Sequence, residues 1–306
     1  MARPAAPAMT EKEVLGLFTT CSNWGRWGKD DERGTLNYIT PEKRVRAALL
    51  VKTGLAVSLG RDLSTRWSLA NSVPIIHKML YGGHDNIIAA ADSVDVAPHG
   101  FRITHIDAIG HVYFQGGIYN GRKAADVVAS RGMSFASVHA LREGVFTRGV
   151  FLDVAKARGV DYLQPGEGIF PEDLDAAEKL AGVKVEPGDA IFVRCGLGSR
   201  EAVDGEEDPS KRAGIMAESV PWIHEHQVAV YSGDCVERLP SPYPSIQLPL
   251  HMVGLVAMGL IMLDNPDVEV LAEAVRSTGR SEFLITCAPL RVPGGTGSAV
   301  NPVAVF

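Results

Sequence analysis

Short apolar runs, some alternating and some continuous, recur along the chain, and most are bounded by glycine, proline or an acidic or hydroxyl cap. Thr10–Phe18 predicts a helix, with Thr10 as N-cap and Glu13 completing a capping box. Thr40-Pro41-Glu42-Lys43 opens a second helix with proline at its first position, expected to run to Lys52 and stop near Gly54. Ala56–Leu59 reads as a strand. Trp67–Ala97 is mixed, with short possible strands and a turn signal at Tyr81-Gly82-Gly83. Arg102–Ile106 and Val112–Phe114 read as strand pieces around a polar run. Ala124–Ala129 and Phe135–Leu141 predict short helices, and Gly149–Val154 a buried strand. Pro171–Ala181 is a helix stopped by Gly182. Glu186-Pro187-Gly188-Asp189 is a turn that leads into the strand Ala190–Arg194. Asp204–Lys211 reads as a charged surface loop, Ser219–His226 as a helix and Val228–Tyr231 as a strand. Pro293–Ser298 is a loop before a short apolar tail, and the Ala/Pro-rich residues 1–9 are expected to be disordered. Strands and helices alternate without an internal repeat or a long linker, which predicts a single α/β domain over residues 1–306.

Composition narrows the classes. With 46 % hydrophobic and 22 % charged residues, the 306-residue chain is no disordered polymer. A net charge of −6 and the lack of a Lys/Arg stripe argue against nucleic acid as a partner. Cys21, Cys195, Cys235 and Cys287 have no C-x-x-C spacing and read as reduced, buried thiols of a cytoplasmic protein. The N-terminus has no apolar signal core. The longest apolar block, Leu255–Leu263, is far short of the ~20 residues of a membrane span.

The densest polar cluster is Thr104-His105-Ile106-Asp107-Ala108-Ile109-Gly110-His111. In an extended strand His105 and Asp107 point to one face, and an imidazole with a carboxylate suits Zn²⁺, Mn²⁺ or Fe²⁺. His111, four residues on and past a glycine, is a further ligand or a general base. The alternative is a set of ordinary polar residues. A second cluster runs from Pro249-Leu250-His251 to Asp264. A continuous helix would hold His251 and Asp264 about 20 Å apart. A helix stop at Gly259, followed by a short strand back, would bring them together. From periodicity alone, a buried helix with a polar residue at each end is the favoured reading. Gly294-Gly295-Thr296-Gly297 lacks the Gly-Lys-Ser/Thr of a phosphate loop. Cys195 and Cys235 lack a context that would activate a thiol.

The run from Thr104 to His111 resembles the signature of the cyclase family of metal-dependent hydrolases, which includes bacterial kynurenine formamidase and isatin hydrolase. That motif is H-x-G-T-H-x-D-x-P-x-H, and Thr104, His105, Asp107 and His111 match it in order. Trp24-Gly25-Arg26-Trp27-Gly28 with Gly34-Thr35-Leu36-Asn37, Tyr119-Asn120-Gly121, Pro187-Gly188-Asp189, and Gly294–Ser298 with Asn301-Pro302 are similar to features of longer members. The resemblance implies metal ligation by His105 and Asp107, a catalytic base at His111, and a further metal-binding pair at His251 and Asp264. Phe101 stands where the motif has its first histidine, Ile103 at its glycine and Ile109 at its proline. His99 lies two residues earlier, and a bulge at Gly100 would return it to the site.

The fold implied is the kynurenine-formamidase-like β/β/α layered α/β fold, with a mixed, partly barrel-like sheet. The cofactor implied is a divalent metal ion, Zn²⁺ or Mn²⁺, one or two per chain. The expected activity is hydrolysis of a C–N or C–O bond in a small cyclic or aryl amide, formamide or lactone. Trp24, Trp27, Tyr113, Phe114 and Tyr119 are candidate substrate-pocket walls. Family members are commonly dimers or tetramers, so a homo-oligomer is implied. A metal-dependent lyase, dehydratase or cyclase, and a metal-free binding protein derived from the enzyme, are the rival readings.

Overall fold

The computed structural model describes residues 9–81 and 88–306 and is built on a curled, mixed nine-stranded sheet. In chain order its strands are β1 (Ala56–Ser58), β2 (His105–Asp107), β3 (Val145–Asp153), β4 (Ala190–Arg194), β5 (Val230–Gly233), β6 (Ile261–Asp264), β7 (Glu282–Cys287), β8 (Gly297–Ala299) and β9 (Val303–Val305). Across the sheet the order is β1-β9-β7-β3-β4-β5-β6-β2-β8. The four central strands, β3 to β6, run parallel. The flanking strands join by antiparallel pairing.

Parallel strands need cover on both faces, and their side chains alternate between two cores. Val150, Leu152, Ile191, Val193 and Met262 face one core, shared with residues of the helices Pro171–Ala181 and Val220–Glu225 and of the segment Pro249–Met258. Phe151, Phe192, Val230, Ile261 and Leu263 face the other, closed by Val268, Leu271 and Ala274 of the helix Val268–Thr278. Among the described residues no helix is long and apolar enough to cross a membrane. All four cysteines are free and buried.

The first helix has the capping box expected of Thr10 and Glu13 and runs Glu11–Thr20. Helix Pro171–Ala181 ends at Gly182 in the left-handed region, as its sequence predicts. The Pro187-Gly188-Asp189 turn is held by the buried Asp189, which accepts from Glu186 N at 2.8 Å and pairs with Arg148 and Lys43. Gly188, at φ +84°, is required there: a Cβ would lie 2.6 Å from the Tyr38 carbonyl oxygen.

Several elements differ from the sequence reading for local reasons. The second helix stops at Ala48 rather than Lys52, because Thr53 and Gly54 donate to the Phe306 carbonyl at the C-terminal strand. Phe135–Leu141 is helical only over Val138–Leu141, since Ala136 has φ +52°. Ala124–Ala129 breaks after Val127 into a hairpin with Gly132–Met133. Val112–Phe114 is no strand; Phe114 bridges tightly to Gly117. The 204–211 segment is not wholly a surface loop, as Glu207 is buried against Arg212. Within Pro293–Ser298 the chain enters β8, the partner of β2. Met9 is placed by a 2.6 Å bond from its backbone N to Glu218. The remainder of the expected disordered segment, and Gly82-Gly83 of the turn signal, lie outside the described residues.

Candidate metal centre

β2 sits near one edge of the sheet, and its three residues divide by strand geometry. Ile106 points into the core, while His105 and Asp107 share the opposite face. Antiparallel register with β6 sets Asp264 directly across from His105. The chain returns Asp264 to this point because Gly259, at φ +63°, ends the helical segment begun at Pro249. β6 then runs back, so the folded-back arrangement is the one adopted. His251 Nε2 lies 3.2 Å from Asp264 Oδ2 and 3.5 Å from Asp107 Oδ2.

His99 reaches the same carboxylate from the other side, with Nδ1 2.9 Å from Asp107 Oδ1. A turn over residues 98–103 brings it there, rather than a β-bulge: Gly100 N donates to Pro98 O, and Asn265 Nδ2 donates to Gly100 O. Gly297 on β8 makes room for the ring. A Cβ at Gly297 would sit 2.6 Å from His99 Cε1. His111, on the short 3-10 turn Ile109–His111, stacks flat on His99 with ring centroids 3.6 Å apart.

The orientation of two imidazoles is fixed from behind. His105 Nδ1 bonds the Ile103 carbonyl at 2.8 Å, and His251 Nδ1 lies 2.8 Å from Glu237 Oε1. Both Nε2 atoms therefore face Asp107 and Asp264, the arrangement by which ligating histidines are normally aimed.

Asp107 is 1 % exposed, yet neither carboxylate oxygen has a partner with hydrogen-bond geometry. Asp264 Oδ1 and His99 Nδ1 are likewise buried without such a partner. Buried acceptors left this way cost stability unless something absent from the protein atoms satisfies them. The donor atoms of His99, His105 and Asp107 converge within 4.8 Å of one another, as do those of Asp107, His251 and Asp264. Two adjacent three-residue donor sets thus share one carboxylate, and nitrogen with oxygen donors fits a divalent cation of the zinc or manganese type.

The electrostatics agree. Burial works against a charged His105, but the Asp107 contact and the charges of Asp107 and Asp264 outweigh it and raise its pKa to about 9. Burial is likewise outweighed at His251, whose pKa stands well above the usual value because of Glu237 and Asp264. Burial would raise Asp107, yet the three surrounding imidazoles hold it well below the usual carboxylate range. His111 goes the other way: burial, only partly offset by Asp107, lowers its pKa to about 4. In the ion-free protein His105 and His251 carry protons where the three carboxylates demand positive charge. His111 stays neutral beside them.

A cleft of about 180 Å³ opens onto this cluster, lined by the six predicted residues together with Phe101, Arg212, Glu237, Asn265 and apolar side chains. The five aromatic residues expected to wall a pocket stand apart from it within one chain. Trp24 donates Nε1 to Val256 O, and Trp27 packs edge-on against Tyr38. Phe114 stacks on Phe18, and Tyr113 is exposed. Tyr119 is fully buried and donates its hydroxyl to Asp31. Sequence reasoning missed Glu237, Asn265 and Arg212, none of which belongs to a recognisable motif. The Asn265 carbonyl accepts from Thr104 Oγ1 and Arg61 Nε while its amide holds the His99 turn, so this residue ties β6 to the turn.

An imidazole-rich double donor set at the edge of a mixed sheet defines an α/β protein with a candidate divalent-cation centre. The chain belongs to the family described as "Putative cyclase", whose model matches residues 43–237. His251 and Asp264 lie beyond that match, so the fold rather than the family model places them. A crystal structure described as a novel cyclase is 30 % identical over 93 % of this chain and 99 % of that one, with a TM-score of 0.83. Isatin hydrolase A from Ralstonia solanacearum is 20 % identical over 87 % of this chain and 98 % of its own, with a TM-score of 0.60. Isatin hydrolase A from Labrenzia aggregata, bound to benzyl benzoate, is 17 % identical over 84 % and 94 %, with a TM-score of 0.59. At these identities the likeness to the isatin hydrolases is one of fold. A comparison with curated proteins finds no match.

Proposed function

We propose that the chain is a divalent-metal-dependent hydrolase acting on a C–N or C–O bond of a small cyclic or aryl amide, formamide or lactone. The observation that carries this reading is the buried Asp107 carboxylate, shared by two donor sets and without a partner in hydrogen-bond geometry. His99, His105, Asp107, His251 and Asp264 would hold the ion or ions, Zn²⁺ or Mn²⁺. Bound there, a divalent cation supplies Lewis acidity, polarising a carbonyl and acidifying water. The protein's part is then proton handling and exclusion of bulk water. His111, neutral at physiological pH, takes a proton from water and delivers it to the departing nitrogen or oxygen. Its stack on His99 fixes the ring beside the donor set. The cleft of about 180 Å³ beside the donor set suits a small acyl group or ring. The test is a screen of aryl formamides, lactams and lactones with zinc- or manganese-loaded protein in H₂¹⁸O. Hydrolysis predicts one ¹⁸O atom in the acid product and a loss of turnover in His111→Ala. Turnover without solvent oxygen in the product would overturn hydrolysis in favour of a lyase, dehydratase or cyclase using the same residues.

The same reading includes a homo-oligomer. The hairpin Ile76–Tyr81 with Ala91–Asp95 is almost wholly exposed, and Ile76, Met79, Leu80 and Val94 are among its exposed apolar side chains. A two-stranded hairpin is marginal in water on its own. A second copy of this chain is the proposed cover for it.

A further inference from the structure

Arg212 is the one lysine or arginine among the described residues lining the cleft. Its position follows from backbone packing. Arg212 and Leu239 exchange backbone hydrogen bonds, and Ile215 N donates to Val236 O. Gly214 permits this approach, since a Cβ there would lie 2.3 Å from the Glu237 carbonyl carbon. The segment bearing Arg212 is thereby pressed against the one bearing Glu237, and the guanidinium enters the cleft wall at only 6 % exposure. Its Nε faces Glu207 at 2.9 Å and its Nη2 donates to Asp234 O. Among the described residues Nη1 has no hydrogen-bond or ion-pair partner. The guanidinium also lies 5.0 Å from the centre of the Phe101 ring. Phe101, 39 % exposed and lining the same cleft, stands where the sequence motif carries a histidine.

We infer that Arg212 and Phe101 form a substrate subsite for an anionic aryl compound, in which the guanidinium takes a carboxylate and the Phe101 ring packs on the arene. The inference rests on the hydrolase reading for what happens next to the bound molecule. A carboxylate is the group that a buried guanidinium with an unused edge recognises best, through charge-assisted hydrogen bonds. Val236, Leu239 and Leu248 supply the apolar wall that an arene needs. Substrates of this class carry both a hydrolysable acyl group and a ring-borne or short-chain carboxylate.

The test is calorimetric titration of benzoate, and of its neutral counterpart benzamide, into metal-stripped and zinc-loaded protein. In both forms the parent is expected to bind benzoate at least about tenfold tighter than benzamide, the scale of one charged hydrogen bond. Arg212→Gln should abolish that preference and Arg212→Lys restore part of it, with zinc content unchanged in both. Should Arg212→Gln fail to fold, Phe101→Ala carries the test, and benzoate affinity should fall toward that of acetate. In the metal-stripped protein, equal binding of benzoate and benzamide by the parent, or a preference that survives Arg212→Gln, would overturn the subsite. Benzoate preference in a protein that takes up no zinc would overturn the hydrolase reading and leave the subsite standing. Zinc-dependent hydrolysis of neutral aryl amides without benzoate preference would do the reverse.

Discussion

Gly297→Ala tests whether His99 replaces the ligand that Phe101 displaces. The added methyl would sit 2.6 Å from His99 Cε1, 3.0 Å from His99 Nε2 and 3.0 Å from the Ile106 carbonyl oxygen. Ordinary carbon contacts need about 3.5 Å or more. The shortest contact must therefore lengthen by roughly 1 Å. β8 cannot supply the shift, because Gly297 and Ser298 are paired with Asp107 and Ile106 of β2. The imidazole must move, and its bond to Thr296 Oγ1 at 3.0 Å goes with it. Metal–ligand distances tolerate about 0.2 Å, so a ring displaced by several times that no longer ligates. The expected result is a loss of zinc affinity of roughly 10- to 100-fold, the range seen when a ligand's support is removed. The fold should lose only about 1–3 kcal/mol, as overpacking a well-filled site does. Competition with a chromophoric chelator measures the first quantity and denaturant unfolding of the ion-free protein the second. His99→Ala should match Gly297→Ala in affinity. Unchanged zinc affinity in both variants would refute the assignment of His99.

Four further outcomes follow from the same geometry. Zinc must displace the proton that His105 holds up to about pH 9, so affinity should rise between pH 6 and 8, with a proton released per imidazole deprotonated; a flat profile by calorimetry in two buffers would contradict this. The ion-free protein should show the converse linkage: a raised histidine pKa stabilises fully below the unfolded value near 6.5, and that stability is lost as pH rises through about 9. Lys43→Met removes one of the two cationic partners of the buried Asp189 and leaves Arg148 in place, so it should cost about 1–3 kcal/mol by urea unfolding, the scale of one lost charged hydrogen bond. Ile76→Glu with Leu80→Glu should shift the mass seen by light scattering from an oligomer to one chain; an unchanged mass would remove the hairpin from the interface.

Much of the site was legible because strand alternation and helix stops are local. His105 and Asp107 share a face for the reason any i, i+2 pair on a strand does. Gly259 signals the reversal that returns Asp264 to His251, although periodicity alone favours an unbroken helix, which the structure does not adopt. Pro171–Ala181 and Ala190–Arg194 carried their own stop and start signals and were read to the residue. What escaped depends on tertiary contact. Glu237 and Arg212 enter the site only because two irregular segments press together at Gly214. β8 looked like a glycine-rich loop because its strand character comes from pairing with β2. Val268–Thr278 carries a readable signal, an Asp267 cap and a Gly279 stop, whereas the strand Glu282–Cys287 that follows takes its place from pairing with β3 and β9. The aromatic residues were grouped by type, whereas packing sends each to a separate place.

The central claim is that the Asp107 cluster is a divalent-cation site, and metal content by mass spectrometry on protein purified without chelator or affinity histidines tests it most directly. The parent should hold one or two equivalents per chain, one if a single donor set is filled and two if both are, and the His105→Ala, Asp107→Ala double variant none. A correctly folded parent that holds no zinc or manganese, and takes up neither when they are supplied, would contradict the account.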